Sequence, residues 1–144
     1  MDDLIEVMKK VLADTFALYL KSHNYHWNVE GPDFKQYHDF FGDLYEELHD
    51  SVDHIAEQIR ALDAYAPASF TRFSELSDIE DELNIPMCVE MARRLHSDNE
   101  IVLETLNVAY KLANQNDKQG LVNFLANRIE IHNKHAWMLR SIIK

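Results

Sequence analysis

Two imidazoles and two carboxylates carry the chemistry legible in this chain: His26 and His38 stand twelve residues apart, and Asp53 and Glu57 follow four apart. Mixed nitrogen and oxygen donors of this kind suit an oxygen-loving redox metal. Gly31-Pro32 lies between the histidines, and this pair both ends a helix and opens a new one. Each histidine is six residues from Pro32. An antiparallel helical hairpin therefore brings them level at its closed end, where both can face one ion. Asp53 lies fifteen residues beyond His38, which at 1.5 Å of rise per residue is roughly 22 Å further along the same helix. Asp53 and Glu57, at i and i+4, project from one face and can chelate together. No single ion reaches from them to the histidines of the same chain. An antiparallel neighbour would have to complete each half, and a two-fold dimer would do so twice.

A competing arrangement exists. Glu46 and His49 form a Glu-x-x-His pair, the spacing used inside the bundles of di-iron proteins, but that site needs a second carboxylate-rich helix. His23, His54, His96, His132 and His135 read as surface or packed histidines. Tyr37, Phe40, Phe41 and Tyr45 read as core or interface aromatics, and Asp78 to Glu82 as a solvated acidic face.

The elements that must position these groups are helical. With 144 residues the chain reads as one domain, residues 1–144, long enough to bury roughly two-thirds of its unfolded surface. Three glycines and three prolines leave little room for hairpin turns. Apolar residues recur with helical period at Leu4, Met8, Val11, Leu12, Leu18 and Tyr19, with Thr15 and Ser22 on the same stripe. A second long helix is expected from about 33 to 63, carried by Phe41, Leu44, Leu48, Val52, Ile55, Ile59 and Leu62. Residues 64–86 read as a crossover with a short helix near 71–76. A third helix is expected over about 87–113. The Asn114-Gln115-Asn116-Asp117 run reads as a turn whose Asn or Asp side chains can cap a fourth helix over about 118–143. Two hairpins joined by one long crossover make an all-α, ferritin-like four-helix bundle.

Composition narrows the partners. The formal charge of −11 repels nucleic acid and attracts small cations. Cys88 has no partner for an internal disulfide and reads as a reduced, packed thiol. No apolar run approaches the length of a membrane span, and the N-terminal residues lack the pattern of a signal peptide, so a cytoplasmic protein is expected.

The run Ser22-His23-Asn24-Tyr25-His26-Trp27-Asn28-Val29, then Gly31-Pro32-Asp33-Phe34 and His38, then Asp53 and Glu57, resembles the Dps-type miniferritins, the DNA-protection-during-starvation family. Lys134-His135-Ala136-Trp137-Met138-Leu139-Arg140 is similar to that family's closing helix. The resemblance implies a ferroxidase centre at a dimer interface, with His26 and His38 from one subunit and Asp53 and Glu57 from its two-fold mate. It also implies a hollow dodecameric shell. Fe(II) would bind mainly through His26, Asp53 and Glu57. Glu57 would bridge to a second iron, and His38 would ligate that iron or hold a water on it. Hydrogen peroxide or dioxygen would be the oxidant, ferric oxide would be stored inside, and Trp27 would intercept escaping radicals.

Three departures from the family pattern bear on function. The position four after the second histidine, usually acidic, is Gly42. Asp39 and Asp43 flank the site without replacing it, so the second iron site is expected to be weak. Near the start of the last helix, where relatives carry pore carboxylates, the chain offers Asp117 beside Asn114, Asn116 and Asn123. Lys9, Lys10 and Lys144 are too few to offset the acidic surface, which argues against DNA binding. Two alternatives to the iron-oxidising shell are a DNA-compacting protein of the same fold and a metal-inactive structural bundle.

Overall fold

The computed structural model describes residues 1–144 and contains five helices and no strand: α1 (Asp2–Asn28), α2 (Phe34–Ala61), α3 (Phe70–Leu76), α4 (Cys88–Gln115) and α5 (Gln119–Ile143). The four long helices form the bundle. α1 lies against α2, α4 lies against α5, and α1 also packs on α4. Residues 62–87 cross from one hairpin to the other and carry α3, which rests on α1. No helix is long and apolar enough to cross a membrane.

The apolar stripe read from the sequence of α1 is buried at Leu4, Met8, Val11, Leu12 and Leu18, with Tyr25 continuing it and Tyr19 half-buried at its edge. Phe41, Leu44, Leu48, Ile55 and Ile59 of α2 face it. Met91, Leu95, Val102, Leu106 and Ala109 of α4 join them, with Leu121, Leu125 and Leu139 of α5. Removing each such side chain from water contributes on the order of 2 kcal/mol, which is why the periodic stripe fixes which face of each helix turns inward.

The hairpin turn follows from two residues. Val29 closes α1 in an extended conformation, with its N–H on the Tyr25 carbonyl, and its side chain enters the core. Gly31 then takes φ +120°, which only glycine adopts without strain, and α2 begins three residues later. At the far ends of α2 and α4 the same task falls to Asp63 (φ 63°) and Asp117 (φ 56°), left-handed residues that end each helix. α4 runs to Gln115, two residues beyond the expected boundary. Asn116 does not cap the helix that follows. Its amide instead donates back to the Leu112 carbonyl, and α5 starts after Lys118 without a side-chain cap.

The crossover is pinned by a buried charge. Asp14 is fully buried within α1 and accepts from Ser77 Oγ (2.8 Å), the Asp78 backbone N–H (3.0 Å), Thr105 Oγ1 (2.8 Å) and Lys10 Nζ (3.0 Å). Two helices and the crossover meet at this carboxylate, and four donors offset its desolvation. α3 begins at Ser69, whose side chain accepts from the Arg72 N–H. It docks through Phe73, which stacks on Phe16 with ring centroids 4.7 Å apart.

The acidic stretch from Asp78 to Glu82 is not the uniformly solvated face expected from the sequence. Asp78 pairs with Lys10 (2.7 Å), Ile79 is buried, and the Glu82 side chain is only 6% exposed. Glu82 accepts from the Tyr25 hydroxyl and from Arg94 (2.7 Å). Alternate members of the run thus fasten the crossover to α1 and α4. Asp14→Ala, which leaves Ser77 and the Asp78 N–H without their buried acceptor, is expected to cost about 3 kcal/mol of stability in urea denaturation.

Candidate metal centre

His26, in the last turn of α1, and His38, in the second turn of α2, hold each other. His26 Nδ1–H donates to the His38 carbonyl at 2.7 Å, and His38 Nδ1–H donates to the His26 carbonyl at 2.7 Å. A carbonyl can only accept, so both Nδ1 atoms carry the proton. Each Nε2 is left with a lone pair. The rings stack 3.8 Å apart at 16°. Backbone hydrogen bonds of this kind fix tautomer and ring orientation in metal-ligating histidines.

Gly42 makes the arrangement possible. It is buried one turn after His38, and a Cβ built on it would lie 3.1 Å from both Cε1 and Nδ1 of His26. Any side chain at position 42 would press on the His26 ring. Asp39, flanking this position, is engaged with Lys35 at 2.9 Å, and Asp43 is exposed.

Asp53 and Glu57 are exposed on α2, one turn apart. The Asp53 carboxylate, by hydrogen bond and by charge, raises the Glu57 carboxyl above its ordinary range. A small burial effect adds to this and His54 opposes it. A carboxyl whose ionisation a neighbouring carboxylate disfavours gains from a cation placed between the two. The structure thus brings the histidines together and the carboxylates together, and it separates the two pairs along α2. No cluster of three or more His, Cys, Asp or Glu side chains able to hold a metal forms within one chain.

Glu46 and His49 are both exposed, so they do not build a centre inside the bundle. The interior between α2 and α5 is taken by a different set, which the sequence reading did not single out. Arg128 makes a two-pronged ion pair with Glu47 (2.5 and 3.1 Å), and His135 Nε2–H donates to the same carboxylate at 2.9 Å. Arg128 also donates to His132 Nε2 at 3.1 Å, while His132 Nδ1–H donates to Asn99 Oδ1 at 2.7 Å. Burial, aided by the nearby Arg128 charge, keeps His132 neutral by lowering its pKa well below 6.5. A guanidinium held this way already neutralises the carboxylate a metal would need. The signal in the sequence was Arg128 itself, a charged residue on the otherwise apolar stripe Leu121, Leu125, His132, Leu139.

Around His23 the structure assembles aromatic rings that were read as unrelated packing residues. Burial, together with the His26 and His49 charges, lowers the pKa of His23, which stacks on Tyr45 with ring centroids 3.8 Å apart and at 8°. Cys88 is half-buried and unpaired, as expected, although its neighbour Met87 is exposed.

Helix order and crossover are those of a ferritin-like protein, and the ferritin-like domain family model matches residues 5–144. DNA protection during starvation protein 2 of Bacillus anthracis is 33% identical over 140 residues, covering 97% of this chain and 96% of that protein. The Dps protein of Bacillus brevis superposes with a TM-score of 0.95 at 26% identity, over 99% of this chain and 96% of that one. The fold is also that of the Dps protein from Vibrio cholerae, described as a member of a broad superfamily of ferritin-like diiron-carboxylate proteins (TM-score 0.95, 24% identity, 99% and 90% covered). The chain belongs to the ferritin-like domain family and, within it, to the Dps-type miniferritins.

Two expectations follow from this geometry. Gly42→Ala should displace the His26 ring and weaken Co(II) or Zn(II) binding roughly tenfold in titration calorimetry, as disturbing a ligand's supporting contacts does. Glu47 supplies an acid limb to stability. Burial pushes its pKa up, but hydrogen bonds from His135 and Arg128, and the Arg128 charge, bring it from 4.5 down to about 2. Its contribution is therefore complete above the unfolded-state value and is lost as pH falls from there towards about 2. Urea midpoints measured across that window should fall less steeply in Glu47→Gln than in the wild type.

Proposed function

We propose that the chain, acting as one ferritin-like domain over residues 1–144, is a ferroxidase subunit. Two-fold mates join His26 and His38 of one copy to Asp53 and Glu57 of the other. Fe(II) is the substrate. The observation that carries the reading is the reciprocal His26–His38 contact, which engages both Nδ1 atoms and leaves both Nε2 atoms free for an ion, in a chain that gathers no cluster of three or more ligands by itself. The Vibrio cholerae protein, whose fold the chain shares, is described as a ferritin-like diiron-carboxylate protein, and the reading agrees with that description.

In this reading His26, Asp53 and Glu57 take the first Fe(II), an imidazole and carboxylate set suited to iron. Negative oxygen donors favour the ferric over the ferrous ion, which eases electron loss to hydrogen peroxide or dioxygen. Glu57 can reach a second iron, with His38 as its ligand or as the holder of a water on it. Gly42 offers that second iron no carboxylate, so the site is weak. Two Fe(II), one hydrogen peroxide and two protons give two Fe(III) and two waters, and the ferric product passes into the cavity of a dodecameric shell for storage as oxide. Consuming both iron and peroxide protects the cell's cytoplasm from hydroxyl radical. The formal charge of −11 draws cations inward and works against a DNA-binding role. A metal-inactive bundle would have no need for two oriented, unprotonated Nε2 atoms.

Complementation tests the shared centre. His26→Ala and Asp53→Ala shells should each be nearly inactive in anaerobic Fe(II) oxidation by peroxide. Co-assembled from equal parts, they should recover activity towards about one quarter of wild type, because each mixed dimer has one intact centre of its two. Correctly assembled mixtures that recover nothing would exclude a centre built from two chains.

A further inference from the structure

Beside the metal-binding histidines lies a series of oxidisable rings that ligation does not use. Tyr45 is 5.2 Å from the His26 ring, centroid to centroid, and stacks on His23 at 3.8 Å. Tyr19 lies 6.2 Å from Tyr45 and 4.8 Å from His49. The Tyr19 hydroxyl is 3.1 Å from His23 Nδ1. A continuous set of π systems therefore runs from a ligand of the proposed centre to a partly buried phenol that is hydrogen-bonded to a base. Trp27 also packs on His23, at 3.9 Å, but it is 62% exposed. A phenol that loses an electron becomes a strong acid, so its oxidation is favoured where a neighbouring imidazole can take the proton. Tyr19 and His23 meet that condition.

We propose that Tyr19, with His23 as its proton acceptor, is a one-electron donor to the iron centre. This inference rests on the ferroxidase reading. Reducing hydrogen peroxide to water takes two electrons, and a centre whose second site lacks a carboxylate at Gly42 holds one Fe(II) much of the time. The bound Fe(II) supplies one electron and becomes Fe(III). Tyr19 supplies the other and becomes a neutral tyrosyl radical, while its proton moves to His23 Nδ1. Peroxide, with two protons from water, leaves as two water molecules, and the O–O bond is broken without releasing hydroxyl radical. A second Fe(II) then returns an electron to Tyr19, His23 gives the proton back, and the balance is again two iron ions oxidised per peroxide. The pair thus bridges the interval between two iron arrivals.

The test is freeze-quench electron paramagnetic resonance on the assembled wild-type shell, loaded anaerobically with one Fe(II) per centre and mixed with hydrogen peroxide. A tyrosyl signal is expected that changes on ring-deuteration of tyrosine and disappears when a second Fe(II) is added. Tyr19→Phe should lose the signal and release hydroxyl radical to a spin trap, with shell assembly and Co(II) binding as controls. His23→Phe, which keeps a ring in the stack but no base, should lower the radical yield, and Trp27→Phe should leave the tyrosyl signal in place. If Tyr19→Phe does not assemble, His23→Phe decides: a full radical yield there overturns the proposal. So does a signal that survives in Tyr19→Phe, or Fe(III) formed by the wild type with no tyrosyl radical, and either result leaves the ferroxidase reading standing. A wild-type shell that binds Fe(II) and never oxidises it brings down both.

Discussion

The contact between His26 and His38 fastens the closed end of a helical hairpin and orients the two imidazoles of the proposed centre. The His26 carbonyl lies in the last turn of α1, where the helix has no N–H left to offer it. The imidazole of His38 supplies that donor. In return His26 donates to the His38 carbonyl. The His38 proton finishes the backbone at the end of α1, while the His26 proton adds a second donor to a carbonyl inside α2. Replacing His38 by an apolar residue would leave the His26 carbonyl short of a donor, whereas the His38 carbonyl would keep its intrahelical one.

The rest of the chain serves to hold that hairpin against its partner. Apolar burial does most of this between α1 and α2 and between α4 and α5, where the stripes face one another. Charge does it where the stripes do not meet. α2 and α5 are joined by Glu47, Arg128 and His135, and the crossover is tied to α1 by Asp14 and Glu82. Buried charges are costly to desolvate, and these are tolerable because each carboxylate faces several donors. Their value lies in direction: an apolar contact accepts small rotations of a helix, whereas a two-pronged guanidinium pair does not. That restriction keeps the outward faces of α2, including Asp53 and Glu57, in fixed register with its hairpin end.

The four long helices, the hairpin at Gly31-Pro32 and the short helix of the crossover were legible because each rests on a local rule: an apolar repeat, a helix-breaking pair, or apolar residues spaced between turn-forming ones. The separation of the histidines from the carboxylates was equally plain, since helical rise converts residue number into distance. What the sequence did not disclose depends on contacts between distant segments. Glu82 reads as solvated until Tyr25 and Arg94 are seen to close on it, and Asn116 reads as a cap until its amide is found turned back towards Leu112. Gly42 shows as a missing carboxylate, and only the position of His26 reveals that glycine there is also a requirement for space.

Gly42 links what the centre gains to what it forgoes. The surface of α2 between His38 and Gly42 receives the His26 ring, and a Cβ at position 42 would lie 3.1 Å from it, so any side chain there obliges the ring to give by a few tenths of an ångström. Glycine at position 42 leaves the ring undisturbed in its bond to the His38 carbonyl, and it leaves that position without an oxygen donor. Asp53 and Glu57 lie some four turns further along α2, so in the proposed centre a second copy running in the opposite direction would bring them to the histidines. Packing at one glycine sets the histidine end of that arrangement, and the rise of one helix sets its separation from the carboxylates.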